Sequence, residues 1–312
     1  MNTRVTVTRR QFTGTALGTM GATLLGQAAS AGPAPATPAA PWLPVVRWGK
    51  YTISRVLVGH NPLKGQSHFS AELSREMTEY FAADAARARQ LLSRCEQLGI
   101  NTGQMGSPRM EEVLRAHYAE GGTLQWIATF YSKPGEGKDE LARILKMQPR
   151  PIGVQHFGNT SDALMRSGKI DRARETLKML RDSGLLVGLC SHNHEVIDYA
   201  ENKGWDVDFY QCCLYRSAFG LAPDGQRRET YEEADRQAML RTIRQVSKPC
   251  IAYKVLAANR HCGRPADVAA AIRFAIEHIK PSDVILLGMW QKYKDQVAEN
   301  VGYARKSFAA LR

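Results

Sequence analysis

Eight short apolar runs alternating with amphipathic stretches predict a single (β/α)8 TIM barrel, an α/β fold, over residues 45–312. Three observations carry this expectation. The apolar runs are nearly continuous, as strands buried on both faces must be. The stretches between them have helical spacing and end on stops such as Asp182-Ser183-Gly184 and Asn202-Lys203-Gly204, where glycine takes the left-handed region. Eight such pairs in about 255 residues fit one barrel. A doubly wound open sheet is the competing arrangement, but it needs a Gly-rich phosphate turn after its first strand. That turn reads Gly59-His60-Asn61-Pro62-Leu63-Lys64-Gly65, which is not the GxGxxG pattern.

In order, the strands are expected at 56–59, 102–104, 124–131, 152–157, 186–191, 209–215, 250–256 and 284–290. The helices are expected at 82–98, 108–120, 138–147, 169–183, 194–203, 232–246, 265–279 and 293–310. The second helix opens on Pro108, whose fixed φ suits a first helical turn, and stops at Gly121-Gly122.

The first 31 residues read as an export signal that leaves the mature chain. Arg4, Arg9 and Arg10 meet no acidic residue, a weakly apolar Gly-rich run follows at 13–27, and Ala29-Ser30-Ala31 offers small cleavage-site residues. The arginine pair before Phe12 points to the twin-arginine export machinery as a partner. A general secretory signal with an incidental arginine pair is the alternative. The run is shorter than the ~20 apolar residues of a spanning helix, so no permanent membrane anchor is expected. Residues 32–44 are Ala/Pro-rich and read as an extended linker. The expected location is periplasmic or secreted.

The formal charge of +12 falls to +9 beyond residue 31 and is spread along the helices. It forms no basic block, so nucleic acid is not an expected partner; a small-molecule substrate is. Of six cysteines, Cys190, Cys212, Cys213 and Cys250 fall in expected core strands, where a thiol behaves as a small hydrophobe. No CxxC pair suggests redox or zinc-ribbon chemistry, and disulfide pairing stays open.

A barrel builds its active site where strands run into their following helices. That rule selects His60, Asn61, Lys64 and His68 after the first strand, Gln104 after the second and Tyr131 after the third. It selects Gln155-His156 after the fourth, Ser191-His192-Asn193-His194 after the fifth, Gln211 and Tyr215 on the sixth, Lys254 on the seventh and Trp290 after the eighth. Six of the eight histidines, including His261, lie at these ends, and imidazole can serve there as acid, base or metal ligand. Alternation with Val154 predicts that His156 points into the barrel mouth as the principal acid/base. His192, Tyr131 and Lys254 are the further catalytic candidates. A lysine inside an apolar strand needs a partner, an anionic group or a Schiff-base role. His60, Asn61, His68, Gln104, Tyr215 and Trp290 are expected to touch substrate. A divalent metal held by His156, His192 and a third group is open, although no HExxH signature specifies it.

The strand ends also resemble those of the aldo/keto reductases, over residues 53–304. Ile53-Ser54-Arg55-Val56-Leu57-Val58-Gly59 is similar to that family's first barrel strand, and Leu98-Gly99-Ile100-Asn101-Thr102 to its second strand entry. Gly153-Val154-Gln155-His156 resembles the fourth-strand histidine segment, and Gly188-Leu189-Cys190-Ser191-His192 the segment that meets nicotinamide. The resemblance implies an NADP cofactor contacted by Ser191, Gln211, Glu299 and Asn300, and reduction of a small carbonyl compound, a sugar among the options. The family protonates the carbonyl oxygen with an Asp, Tyr, Lys and His. Here Gln104 takes the Asp position, Ser107-Pro108-Arg109 occupies the Tyr region, Phe130 or Tyr131 takes the Lys position, and His156 alone matches.

Three functions follow. The first is an exported reductase-like oxidoreductase. The second is a barrel isomerase, lyase or hydrolase acting on carbohydrate through strand-end histidines, with a metal or with no cofactor. The third is a non-catalytic sugar-binding barrel using aromatic residues such as Trp290, Tyr215 and Trp126.

Overall fold

The computed structural model describes residues 43–216 and 231–311, and all that follows concerns them. Two antiparallel strands, β1 (Val45–Trp48) and β2 (Tyr51–Ser54), precede the barrel strands. The barrel strands are β3 (Val56–Gly59), β4 (Thr102–Met105), β5 (Gln125–Phe130), β6 (Gly153–His156), β7 (Leu186–Ser191), β8 (Phe209–Cys213), β9 (Cys250–Tyr253) and β10 (Val284–Gly288). They close in sequence order, all parallel, with β10 pairing back onto β3. The protein is therefore the eight-stranded α/β barrel that the alternating pattern predicts.

Ten helices run between and after the strands: α1 (Ala71–Ala83), α2 (Ala86–Gln97), α3 (Pro108–Ala119), α4 (Lys138–Leu145), α5 (Gly158–Arg166), α6 (Ala173–Arg181), α7 (His194–Asn202), α8 (Glu233–Gln245), α9 (Pro265–His278) and α10 (Gln296–Ala309). The expected helix at 82–98 is broken at Asp84, whose extended backbone ends α1 and whose carboxylate accepts from the Ala86 N–H. Helix α5 and the hairpin β1–β2 were not anticipated. The α5 sequence, Gly-Asn-Thr-Ser-Asp, has weak helix propensity and an almost polar first turn. Lys254 is not inside a strand: β9 ends at Tyr253, Lys254 has a left-handed φ of 58°, and a second left-handed stretch follows at Ala257, Ala258 and Asn259. Among the described residues no helix is long and apolar enough to cross a membrane.

The core has two layers. Val56, Val58, Val154, Leu189, Tyr210 and Ala252 face outward and pack under the helices. Leu57, Ile127, Phe209, Ile251 and Leu286 fill the barrel interior. The hairpin closes the N-terminal end of that interior. Trp48 stacks on Phe209 with ring centroids 5.3 Å apart, and its indole N–H donates to the Ser282 carbonyl at 3.1 Å. Leu43, in the expected linker, is buried in the outer layer. With the bottom plugged, the cavity lies at the C-terminal strand ends. Removing the plug by Trp48→Ala is expected to lower stability by about 3–5 kcal/mol in urea unfolding; a loss below about 1 kcal/mol would show the hairpin to be an accessory.

Candidate active site

A cavity of about 650 Å³ lies in the barrel mouth. This is within the range of roughly 300–1,000 Å³ typical of ligand and cofactor sites. It runs from the loop after β3, across the ends of β4 to β9, and out beneath the loop after β9 to Glu299 and Asn300 on α10. Of the residues expected at the site, His60, Asn61, His68, Gln104, Tyr131, His192, Gln211, Lys254, Trp290, Glu299 and Asn300 line it.

His156, Ser191 and Tyr215 do not line it, which corrects three expectations. His156 pairs in register with Phe130 and Leu189, both outward-facing, so alternation turns its ring toward α5. Its Nδ1 lies 2.8 Å from the Ser161 hydroxyl, and it is fully buried. Val154 shares this outward face, and Gln155 takes the cavity position. Ser191 is outward by the same parity, and its hydroxyl donates to Asp162 at 2.5 Å. Tyr215 lies beyond β8, where its hydroxyl meets His261 Nε2 at 2.9 Å.

The wall nearest β3 and β5 carries a Lys–Tyr pair. Lys64 ends a one-turn 3-10 helix that Gly65 closes at φ 71°; a Cβ there would collide with the Thr78 hydroxyl. Its ammonium is 3.4 Å from the Tyr131 hydroxyl. Tyr131 is fixed from behind, because Glu140 accepts from the Tyr131 and Ser132 backbone N–H groups at 3.0 and 2.9 Å. Burial first, and then the Glu140 charge, pushes the Tyr131 phenol up to about 12, so it remains a protonated donor at neutral pH. Burial lowers the Lys64 ammonium. The Thr129 hydroxyl extends this pair across the floor, where Gln104 and Gln155 both donate to it.

The opposite wall carries a second network. Asp162, on α5, is 5 % exposed and accepts from the Ser191 hydroxyl, while its other oxygen lies 2.8 Å from His192 Nδ1. The edge of the His192 ring meets Tyr253, whose hydroxyl accepts a contact from the Cys190 thiol at 3.5 Å. Gly158 makes this approach possible: a Cβ there would sit 2.9 Å from Cys190 Sγ and 3.3 Å from His192 Cε1. Sequence reasoning missed Asp162, Tyr253 and Thr129 as site residues. Asp162 lay in a helix that the pattern did not reveal, and Tyr253 was overshadowed by the lysine beside it.

Gln211 faces the cavity floor at 4 % exposure, and its Oε1 has no partner among the described residues. Asn300 is 3 % exposed at the far end. Among the described residues no group of three His, Cys, Asp or Glu side chains is placed to hold a metal.

The fold is similar to that of solved aldo-keto reductases. A Pseudomonas aeruginosa protein assigned to the aldo-keto reductases is 17 % identical at a TM-score of 0.55, over 85 % of this chain and 95 % of its own. An aldo/keto reductase from Brucella melitensis is 9 % identical at 0.51, over 86 % of this chain and 98 % of its own. No protein-family model and no curated protein matches the sequence. The barrel fold is what these structures share with it.

Two buried histidines give the fold a pH signature. Burial lowers His60 from 6.5 to about 3, with Lys64 adding to the effect, and lowers His156 to about 4. Both are neutral when folded, whereas the unfolded chain protonates them below about 6.5. Their contribution is complete above that value and is lost as pH falls toward 4, at up to about 1.4 kcal/mol per pH unit for each. The urea midpoint is expected to fall between pH 7.5 and 4.5, less steeply in His156→Gln. Equal slopes in the two proteins would contradict the assignment.

Proposed function

We propose that the protein is a reductase-like oxidoreductase acting on a small carbonyl or hydroxyl compound, a sugar being the class that its polar floor suits. The observation that carries this reading is the Lys64–Tyr131 pair on the wall of a cavity that continues to Gln211, Glu299 and Asn300. The resemblance to aldo/keto reductases implies a Tyr/Lys pair, and here the tyrosine stands at the family's lysine position while the lysine comes from elsewhere. The lysine follows the first barrel strand and the tyrosine the third. Lys64 polarises the phenol, Tyr131 donates its proton to a carbonyl oxygen, and Thr129 steers the hydroxyl. Gln211, Glu299 and Asn300 would hold NADP, with Lys254 beside it near the mouth. A bound nicotinamide would supply or accept the hydride. His156 takes no part beyond supporting the wall.

Tyr131→Phe is expected to lower kcat for dinucleotide-linked carbonyl reduction by about 10²–10⁴-fold, with dinucleotide affinity unchanged. Fluorescence titration with NADPH and steady-state turnover on small aldehydes and ketoses measure the two. Failure of the folded protein to bind any nicotinamide dinucleotide would sink the reading.

Export belongs to the same proposal. Residues 1–31, with the arginine pair, lie outside the described residues, and their composition is what supports a twin-arginine signal. A cofactor loaded before crossing suits a route that carries folded proteins. Intact mass of the protein recovered from the periplasm or medium is expected to place the new N-terminus at Gly32; retention of the full chain in the cytoplasm would contradict export.

A further inference from the structure

The Lys64–Tyr131 pair accounts for one wall of the cavity and leaves the other without a task. On that wall a buried carboxylate, Asp162, lies 2.8 Å from Nδ1 of His192, an imidazole that lines the same cavity. Asp162 also accepts from the Ser191 hydroxyl and faces the His192 backbone N–H at 3.3 Å. Its two oxygens are thus fixed from three sides. A carboxylate held this way keeps the proton on Nδ1, which makes Nε2 the basic nitrogen and stabilises the imidazolium once it forms. Other buried histidines have partners too, His156 a serine hydroxyl and His117 the Glu96 carboxylate at 2.8 Å, but neither lines the cavity, whereas His192 does.

The two walls sit at the ends of β5 and β7, with β6 between them. Strand spacing sets them roughly 10 Å apart at the backbone. Inward-reaching Tyr131 and His192 side chains then bracket a gap suited to a compound of a few carbons. The gap is floored by Gln155 and Gln211, whose Oε1 atoms have no partner among the described residues. The side-chain amides of this floor give it a polar character that suits a hydroxylated carbonyl compound.

We propose that Asp162–His192 is a second acid/base station, and that with Tyr131 it enolises small α-hydroxy carbonyl compounds without any dinucleotide. The Nε2 of His192 takes the proton from the hydroxyl-bearing carbon next to the carbonyl. The C–H electron pair becomes the C=C bond, and the carbonyl π pair takes the Tyr131 proton as a new O–H. The product is a neutral enediol, with the imidazolium beside Asp162 and the phenolate beside Lys64. Return of a solvent-derived proton from the imidazolium to the same carbon, with the new O–H proton going back to the Tyr131 phenolate, is proton exchange. Its delivery to the former carbonyl carbon, with the other enediol hydroxyl giving its proton to the phenolate, is aldose–ketose interconversion. Neither consumes an oxidant or reductant. His192 and Tyr131 are catalytic residues here and Asp162 a positioning residue. The inference shares Tyr131 with the oxidoreductase reading but does not need its cofactor.

The test is proton NMR in D2O with dinucleotide-free mature protein and three probes: dihydroxyacetone, D-xylulose and D-fructose. Loss of the signal from the carbon next to the carbonyl is expected well above the buffer rate with at least one probe. His192→Asn and His192→Gln, each checked for native near-UV circular dichroism, are expected to lose at least about 100-fold of it. Asp162→Asn is expected to lower kcat for exchange while KM stays within about twofold, a split that loss of packing alone would not give. No exchange by the wild-type protein with any of the three probes overturns the inference, as does wild-type exchange in either folded His192 variant. NADPH titration of the same preparation separates the two readings. Binding without exchange overturns only this inference, and exchange without binding overturns only the oxidoreductase.

Discussion

Closure of the parallel barrel on both faces is the constraint on which the rest depends. Each strand is covered outside by helices and inside by the residues of its neighbours, so parity along the strand decides where a side chain ends. Ile127, Thr129 and Tyr131 share the inner parity, and so do Cys190 with His192 and Leu286 with Trp290. One position to either side places a group under the helices, in a layer no substrate reaches. Gln155 and His156 are adjacent, yet one floors the cavity and the other is sealed against Ser161. The hairpin plug strengthens this constraint by closing the lower end, and at the C-terminal mouth inner parity meets the cavity.

The barrel itself was legible because the same physics writes both pattern and fold. Runs buried on both faces must be apolar throughout, and the expected strands lie within a few residues of those observed. Parity was less legible. A continuously apolar strand does not alternate, so 152–157 offers no polar–apolar rhythm to say which face His156 takes. The resemblance to a histidine segment pointed the other way and lost to register with Phe130 and Leu189. Lys254 shows the reverse case: it has the wrong parity for the interior, but a left-handed backbone at φ 58° re-aims it into the cavity wall.

What sequence could not show was partnership. Lys64 and Tyr131 are 67 residues apart, and Asp162 and His192 are 30 apart, on elements whose contact depends on the closed barrel. Concentration of histidines at strand ends was a true signal of the mouth but a poor guide to roles. His60 is held neutral by burial, His261 supports Tyr215, His156 braces a helix, and His192 alone is joined to a carboxylate on the cavity wall. The distinguishing partner, Asp162, came from a helix with little amphipathic pattern, docked close only because Gly158 carries no Cβ.

The polar floor links stability to binding. A buried acceptor left without a donor costs about 1–3 kcal/mol, and Gln155 and Gln211, which line the cavity, each hold a sealed Oε1 without a partner among the described residues. The barrel walls around them are apolar and well packed, so the fold can carry this cost. A hydrophobic residue at either place would remove the penalty and give a more stable barrel with nothing to recognise. On the proposed reading, a ligand rich in hydroxyl or amide N–H groups would meet these two side-chain amides at the cavity floor. Such a ligand would meet Tyr131 on one wall and His192 on the other. Its position would then be set by the floor before either proton moves.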